Sequence, residues 1–500
     1  MATLYPAPSF SSFLNLSIQD TPLTPCAAYV EMAERWMLLD DLLRGTAWMR
    51  ERGMDYLPRE ELETHSDWER RRSRTFLYGA LKRAVRRVTE KPFTRDVSLR
   101  PGVVPAWIGR LVKSTDPWNR NLTQFARSMF EDAVVHGLTH VLVDAPRVFE
   151  YGEGIPRLVH IPAANLFAWR YEGSRLVEIR WFEDATVRDG QWKETTVRYV
   201  WVLRPGEWQR FRIEQRDLTP TISPEKIVPD GAGAAPFGDR IPLVTFYTGF
   251  LSWMRAEPPF EDLAWTNLAH YQSSSDQRNI LHYARIPILH QTGLGEEDAK
   301  KPLGLGAGAR VVSGDPAAKL EFVEHSGNAI GAGRRDLMDL QDEMEVLGLA
   351  PILSRLGFVT ATSRVLEQGD NESQIQTWIR GLEWALDEAI RLAGLVQGES
   401  VPDDFEVDVF NDFGIVARGS DQARILLESY RDGALSRRTL LTELRRLGQL
   451  ADGFNLEAEL ARSPEKMEGK SAGSLEKDGV VRRPSPTRNV RERDEAVVGD

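Results

Sequence analysis

Hydrophobic positions recur with helical spacing over residues 27–52 and again over 66–90, where Trp68, Phe76, Leu77, Leu81, Ala84, Val85 and Val88 fall on or near one face. The opposite face of the second run is basic, through ERRRSR (Glu69 to Arg74) and KRAVRR (Lys82 to Arg87). Such a face suits either plain solvation or contact with phosphate. Residues 121–136 read as a further helix, followed by a short apolar strand, THVLVDAP. The period then changes. PRLVHIP, RLVEIRWFE, TTVRYVWVLR and WQRFRIEQR alternate as strands do, which predicts an antiparallel sheet within a mixed α/β region from 155 to 215. The stretch 218–240, rich in Pro, Gly and Ala, reads as a loop, and IPLVTFYT as one more strand.

Helical spacing returns from about 259 to 284, and PILHQTG then opens a compact Gly-rich insert that runs to about 327. In AIGAGRRDLMDLQDEMEVLGL, the residues Ile330, Leu337, Leu340, Met344 and Leu347 keep a seven-residue register. Arg335, Asp336, Asp339, Asp342 and Glu343 are left to the other faces. A long helix over about 363–397 carries Ile375, Trp378, Ile379, Leu382, Leu386 and Ala389 as its apolar stripe, and 420–450 reads as two or three short amphipathic helices. From about Ser463 to Asp500 aromatic residues are absent while charged residues, Gly, Ser and Pro dominate, so this tail is expected to be disordered.

The stretch DLAWTNLAHYQSSSDQRNILHYARIP (262–287) gathers two histidines, an aspartate and three serines, but not into a site. His270 and His282 are twelve residues apart, so on a helix their side chains diverge by roughly 120°. What remains is a helix with apolar ends and a polar middle, Gln272 to Asn279. Such a helix faces water or packs beside another polar helix, and Ser273, Ser274 and Ser275 would let a neighbour come close. GLGAGA (Gly304 to Ala309) follows no strand and opens no helix, so it is not a dinucleotide fingerprint. EGKS (Glu468 to Ser471) lacks the first glycine of a phosphate loop, with Pro464 in its place. No GxSxG elbow, HExxH pair or metal-binding carboxylate and histidine cluster is readable, and PDDFEVD (Pro402 to Asp408) reads as a solvated turn entering a strand. No catalytic residue, metal or cofactor is expected.

Composition narrows the classes. Five hundred residues, 42% hydrophobic, suffice for large cores, and a net charge of −11 argues against gripping nucleic acid over a broad basic face. The single cysteine, Cys26, excludes an intramolecular disulfide framework. The start, MATLYPAPSFSSFLNL, has no basic region ahead of its apolar residues, and no apolar run approaches the roughly 18 residues of a membrane span, so neither a secretion signal nor a membrane segment is expected.

Five segments in order, YLPREELETHSDWERRRSRTFLYGALKRAVRRVTEKPF, HGLTHVLVDAP, IPAANLFAWR, PPFEDLAWTNLAHYQSSSDQRNILHYARIPILHQTG and ATSRVLEQGDNESQIQTWIRGLEWALDEAI, resemble the successive signatures of a tailed-bacteriophage portal family long carried as a domain of unknown function. The resemblance runs from about residue 50 to about 455. It implies an α+β, elongated subunit: an N-terminal arm and α/β wing (1–255), a first stem helix (256–284), a small β-rich clip (285–327), a second stem helix (328–348), a tunnel loop (349–362), a long wing helix and strand (363–416), a helical crown (417–462) and the tail (463–500). It further implies a homo-oligomeric ring, usually of about twelve copies, at one capsid vertex of a phage or gene-transfer particle assembled in a bacterial cytoplasm. Double-stranded DNA would pass through that ring. The terminase large subunit and head–tail connector proteins would dock at the clip, and the major capsid or scaffold protein would surround it. Charges from Arg334 to Glu345, two basic and five acidic, sum to −3; repeated round a ring, they would make a wall along which phosphates slide. Arg335, Asp339, Asp342 and Glu343 are the channel candidates on this helix, Arg355 is the candidate in the tunnel loop, and the three serines are candidates for packing between copies. Two other readings are another structural virion or head–tail connector protein, and a DNA-processing enzyme of the packaging machinery. The second would need a phosphate loop and a carboxylate cluster that the chain does not display.

Overall fold

The computed structural model describes residues 20–100, 104–144, 156–188, 190–213, 227–235, 237–285, 288–293, 317, 319–323, 327–352, 373–411, 426–427, 429–431, 435–446 and 459. They fall in two compact units, Met1–Asp412 and Phe413–Asp500. GLGAGA, EGKS, Arg355 and the 463–500 tail lie outside the described residues.

The first unit mixes helix and strand in the manner of an α+β fold. Helix α1 (Ala27–Arg44) stops at Gly45, whose φ of +86° is costly for any residue with a Cβ, and α2 (Thr46–Arg52) starts afresh, so the expected 27–52 helix is two helices. The expected 66–90 helix is also two. Helix α3 (His65–Arg74) begins at Thr64, whose hydroxyl accepts the Asp67 amide, and ends at Thr75, an extended residue. After a short linker, α4 (Ala80–Glu90) follows. The break turns Phe76 outward while Trp68, Leu77, Leu81, Ala84, Val85 and Val88 remain buried. Strand β1 (Ser98–Arg100) and helix α5 (Ala106–Lys113) lead to α6 (Leu122–His136), which a capping box between Asn121 and Gln124 opens and left-handed Gly137 closes.

Strand β2 (Leu138–Asp144), β3 (Arg157–Ile161), β4 (Leu166–Glu172), β5 (Arg175–Arg188), β6 (Glu194–Arg204), β7 (Glu207–Ile213), β8 (Ile227–Ala234) and β9 (Leu243–Tyr247) make two antiparallel sheets, ordered β3-β2-β9 and β4-β5-β6-β7-β8. Strand β8 occupies the stretch expected to be a loop. Its glycines deny it a strand signature, yet they are what lets it pair: a Cβ on Gly233 would lie 2.9 Å from the Trp208 indole nitrogen, and one on Gly231 3.4 Å from the same ring. The larger sheet alternates as the sequence does. Phe167, Phe182, Val200 and Val202 pack under Tyr29, Met32 and Trp36 of α1, whereas Leu166, Ile179, Trp181 and Leu203 join a separate cluster with Ile161, Ile241 and Met254. Each such fully buried large side chain contributes roughly 1.5–3 kcal/mol over leaving it in water.

A small hairpin of β10 (Phe250–Ser252) and β11 (Arg255–Ala256) precedes α7 (Glu261–Ala284). Strands β12 (Ile288–Thr292) and β13 (Lys319–Val323) then pair antiparallel, and α8 (Asn328–Leu349) follows. Helix α9 (Gln374–Gln397) buries all six residues of its expected stripe, and β14 (Glu406–Asp408), the strand expected after the PDD turn, pairs with β1. In the second unit, α10 (Arg437–Arg446) falls within the segment expected to hold short helices. The Ser436 hydroxyl accepts the Thr439 amide at its start.

Candidate functional site

Helices α7 and α8 lie side by side and antiparallel, because contacts that climb one helix descend the other. Gly348 faces Leu263, the Gln341 amide meets the His270 ring at 3.0 Å, and Gln277 Nε2 donates to the Ile330 carbonyl at 2.9 Å. At about 1.5 Å per residue each helix is over 30 Å long. Between them, in chain order, sits the β12–β13 hairpin, with Ile288 opposite Val323 and Thr292 opposite Lys319. Glycine permits the close approach: a Cβ on Gly333 would come within 2.2 Å of Gln277 Oε1.

The polar middle of α7 therefore packs beside a second polar helix, and its buried Ser275 and Gln277 find partners within the chain. Asn267 Oδ1 accepts the Leu81 amide at 3.2 Å while its Nδ2 donates to the Tyr78 carbonyl at 2.8 Å, clamping α7 to the start of α4. Ser274 and Ser275 are buried, and Ser273 is half-buried. Ser275 Oγ lies 2.8 Å from the Thr75 hydroxyl and 3.4 Å from Arg71 Nη1, so the neighbour this serine admits is the chain's own α3. Arg71 is only 4% exposed and carries a charge that needs oxygen partners. Glu63 accepts from Nε at 2.8 Å and from Nη2 at 2.7 Å, the Pro58 carbonyl accepts from Nη2 at 2.8 Å, and Asp276 lies 3.5 Å from Nη1. Arg71→Met leaves Glu63 without its counter-charge and is expected to cost about 3 kcal/mol of unfolding free energy, checked by the urea midpoint.

The outer face of α8 is charged. Arg334, Arg335, Asp336, Asp339, Asp342, Glu343 and Glu345 are all exposed, as are Met338 and Val346, while only Met344 and Gly348 on this helix are buried in the chain. At about 100° per residue the exposed arc is roughly 200° wide. His270 is 3% exposed whereas His282 is exposed, so the two histidines share no site. Among the described residues no group of three or more His, Cys, Asp or Glu side chains is arranged to hold a metal ion, and no helix is long and apolar enough to cross a membrane.

One cluster of titratable groups escaped the sequence reading. Asp132 and His136 stand one turn apart on α6, with His136 Nδ1 2.8 Å from Asp132 Oδ1 and Nε2 3.1 Å from Asp40 Oδ1. The other Asp132 oxygen accepts from the Thr139 hydroxyl and from the Ala163 amide at 2.9 Å, with His160 Nε2 3.5 Å away. Burial works against charging His136, but the carboxylates of Asp40 and Asp132 outweigh it and hold the imidazolium well above its usual range. Burial would likewise raise Asp132, yet His136 and His160 hold it below the usual carboxylate range. His140 nearby is 1% exposed, has Nδ1 2.9 Å from the Thr245 hydroxyl, and is pushed down by burial to about 3. This polar knot ties α1, α6, β2, β3 and β9 together. A search for HExxH misses an Asp–His pair at the same i, i+4 spacing; the signal was the spacing itself.

Comparison with known proteins matches residues 259–394 to a family described as "Domain of unknown function (DUF4055)". That match covers α7, the hairpin, α8 and most of α9. No curated protein matches the chain. Among solved structures, it is similar to a chain of the "Neck of native GTA particle computed with C12 symmetry", at 11% identity and a TM-score of 0.38, over 74% of this chain and 89% of that one. It is similar also to a chain of the "Virion of native gene transfer agent (GTA) particle", at 12% identity and 0.36, over 74% and 89%. A third is a chain of the "Neck of empty GTA particle computed with C6 symmetry", at 12% and 0.38, over 74% and 90%.

Proposed function

We propose that this chain is the subunit of a ring-shaped portal, the channel through which double-stranded DNA enters and leaves the capsid of a tailed phage or a phage-derived particle. The observation that carries the reading is the antiparallel α7–α8 pair with a hairpin at its turn and an outer face of five carboxylates and two arginines. The ordered portal-like signatures along the sequence point the same way. In this reading α7 and α8 are the stem, the hairpin belongs to the clip where the terminase large subunit and head–tail connectors dock, and α10 belongs to the crown. The major capsid or scaffold protein surrounds the ring. Part of the α8 face turns to the axis, where Arg335 and Asp342, at the middle of the exposed arc, meet the DNA, and Arg355 supplies a basic ring further along the chain. The protein in this reading has no catalytic activity of its own.

Negative-stain images of the purified full chain are expected to show rings with a central hole; compact monomers at every concentration sink the reading. Asp342→Lys replaces a ring of repelling charges by attracting ones. It is expected to leave ring formation intact and to cut the DNA packaged per particle by about tenfold, because many weak phosphate contacts add. Unchanged filling in particles carrying that substitution removes Asp342 from the channel.

A further inference from the structure

Helix α4 has an outer face of unusual charge. Lys82, Arg83, Arg86 and Arg87 are exposed, and the remaining outward position, Glu90, takes Arg86 at 2.6 Å and Arg127 of α6 at 3.9 Å. Four cations against one carboxylate leave this ridge at +3. The cations stand in two rows, Lys82 with Arg86 and Arg83 with Arg87, each one helical turn apart. The inner face of α4 is fixed by its own chain: a Cβ on Gly348 of α8 would sit 3.1 Å from that of Ala84. The ridge is thus on the side of α4 turned away from its own α8.

Helix α8 carries the complement. Asp336, Asp339 and Glu343, spaced three and four residues apart, form one exposed acidic stripe of −3. On the helical wheel it borders Leu340 and Leu347, which the chain leaves only half-buried. Among the described residues no ion pair joins the ridge to the stripe.

We propose that the α4 ridge of one copy docks on the Asp336–Asp339–Glu343 stripe of the next copy of this chain, a head-to-tail salt-bridged contact that sets the spacing of the ring. The inference rests on the ring reading and deepens it. A ring built from identical chains needs two different, mutually complementary patches on each subunit, and +3 facing −3 on surfaces that cannot meet within one chain is such a pair. The exposed arc of α8, roughly 200° wide, has room for an axial flank holding Arg335 and Asp342 and a neighbour-facing flank holding the stripe. Two of the four sequence-derived channel candidates on α8, Asp339 and Glu343, are thereby assigned to the contact between copies. The half-buried Leu340 and Leu347 are covered when the neighbour arrives.

The test is a charge swap in the full chain, with oligomer size read by sedimentation velocity and by negative-stain imaging. Arg83→Glu with Arg87→Glu, and separately Asp336→Arg with Asp339→Arg and Glu343→Arg, are each expected to lower the ring fraction at low salt by about tenfold or more. Combining all five restores it. All five positions are exposed, so circular dichroism and the melting temperature are expected to match the parent; Gln at the same positions replaces any variant that fails this check. Rings that persist in both single-surface variants overturn the contact and leave the ring reading standing. A combined variant that stays as dissociated as its parents also overturns it. If the α4 variant assembles normally but no longer retards a DNA duplex, the ridge is a polyanion site and the contact between copies is rejected. A parent chain that is monomeric at every concentration overturns the ring reading and this contact together.

Discussion

Asp132→Ala is expected to lower the unfolding free energy of the first unit by about 3–5 kcal/mol, the usual cost of removing one member of a buried ionic group. The carboxylate accepts from the Thr139 hydroxyl and the Ala163 amide and lies against the His136 and His160 rings. Removing it leaves His136, 7% exposed, with Asp40 alone to balance its charge. The Ala163 amide and the Thr139 hydroxyl also lose an acceptor in a place water does not readily enter. Asp132→Asn keeps the shape and part of the hydrogen bonding but not the charge, so it is expected to cost less than alanine. Urea denaturation followed by tryptophan fluorescence measures both; Trp36, whose indole donates to the His136 carbonyl at 2.8 Å, lies beside the change. A loss under about 1 kcal/mol for alanine shows that the cluster is solvated and holds nothing together.

Acid is expected to unfold the first unit, with His140 supplying much of the slope. In the fold this ring is held neutral, with a pKa near 3, while an unfolded histidine titrates near 6.5. The native state therefore binds fewer protons. The stability tied to His140 is complete above about pH 6.5 and drains away as pH falls from there toward 3, by at most about 5 kcal/mol. His136 has the opposite sign: its raised pKa gives stability that is present below about 6.5 and lost only as pH climbs through the folded value. Asp387 opposes His140 too. Burial lifts its pKa to about 6 although the Val407 amide donates to it at 2.6 Å, so its contribution is greatest in acid and declines as pH rises from about 4 to 6. His140→Gln is expected to flatten the plot of urea midpoint against pH between about 6.5 and 4. A plot with the parent's slope assigns acid unfolding to other groups.

The parts of this fold that the sequence announces are those where one period runs unbroken. Helix α9 shows six stripe residues at helical spacing and buries all six; β5 to β7 alternate and pair as they alternate. Breaks within a periodic run are less visible. The helical pattern crosses Gly45 and Thr75 without a gap, and only the backbone shows that each position ends a helix. Strand β8 was hidden for a different reason: its identity resides in main-chain pairing with β7, and composition registers side chains. Helices α7 and α8 were legible as polar helices, but the partners of their side chains were not. In the sequence Ser275 shows only as a small polar residue, whereas its partners in the fold, Thr75 and Arg71, stand some two hundred positions away. The same distance problem hid the polar knot, in which Asp40, Asp132 and His160 come from three separated stretches.

The edge formed by β8 bears on how copies of this chain can meet. An open strand edge is a template on which another chain's strand can grow, and subunits held at high local concentration are exposed to that hazard. Here the edge is blunted four ways: Pro229 has no amide to donate, a register shift falls between Arg210 and Phe211 of the partner strand, Asp230 holds its charge at the rim against Arg210 at 2.6 Å, and the last residues are glycines and alanines with nothing to interdigitate. Strand-to-strand fusion between chains is thus disfavoured at this side of the sheet.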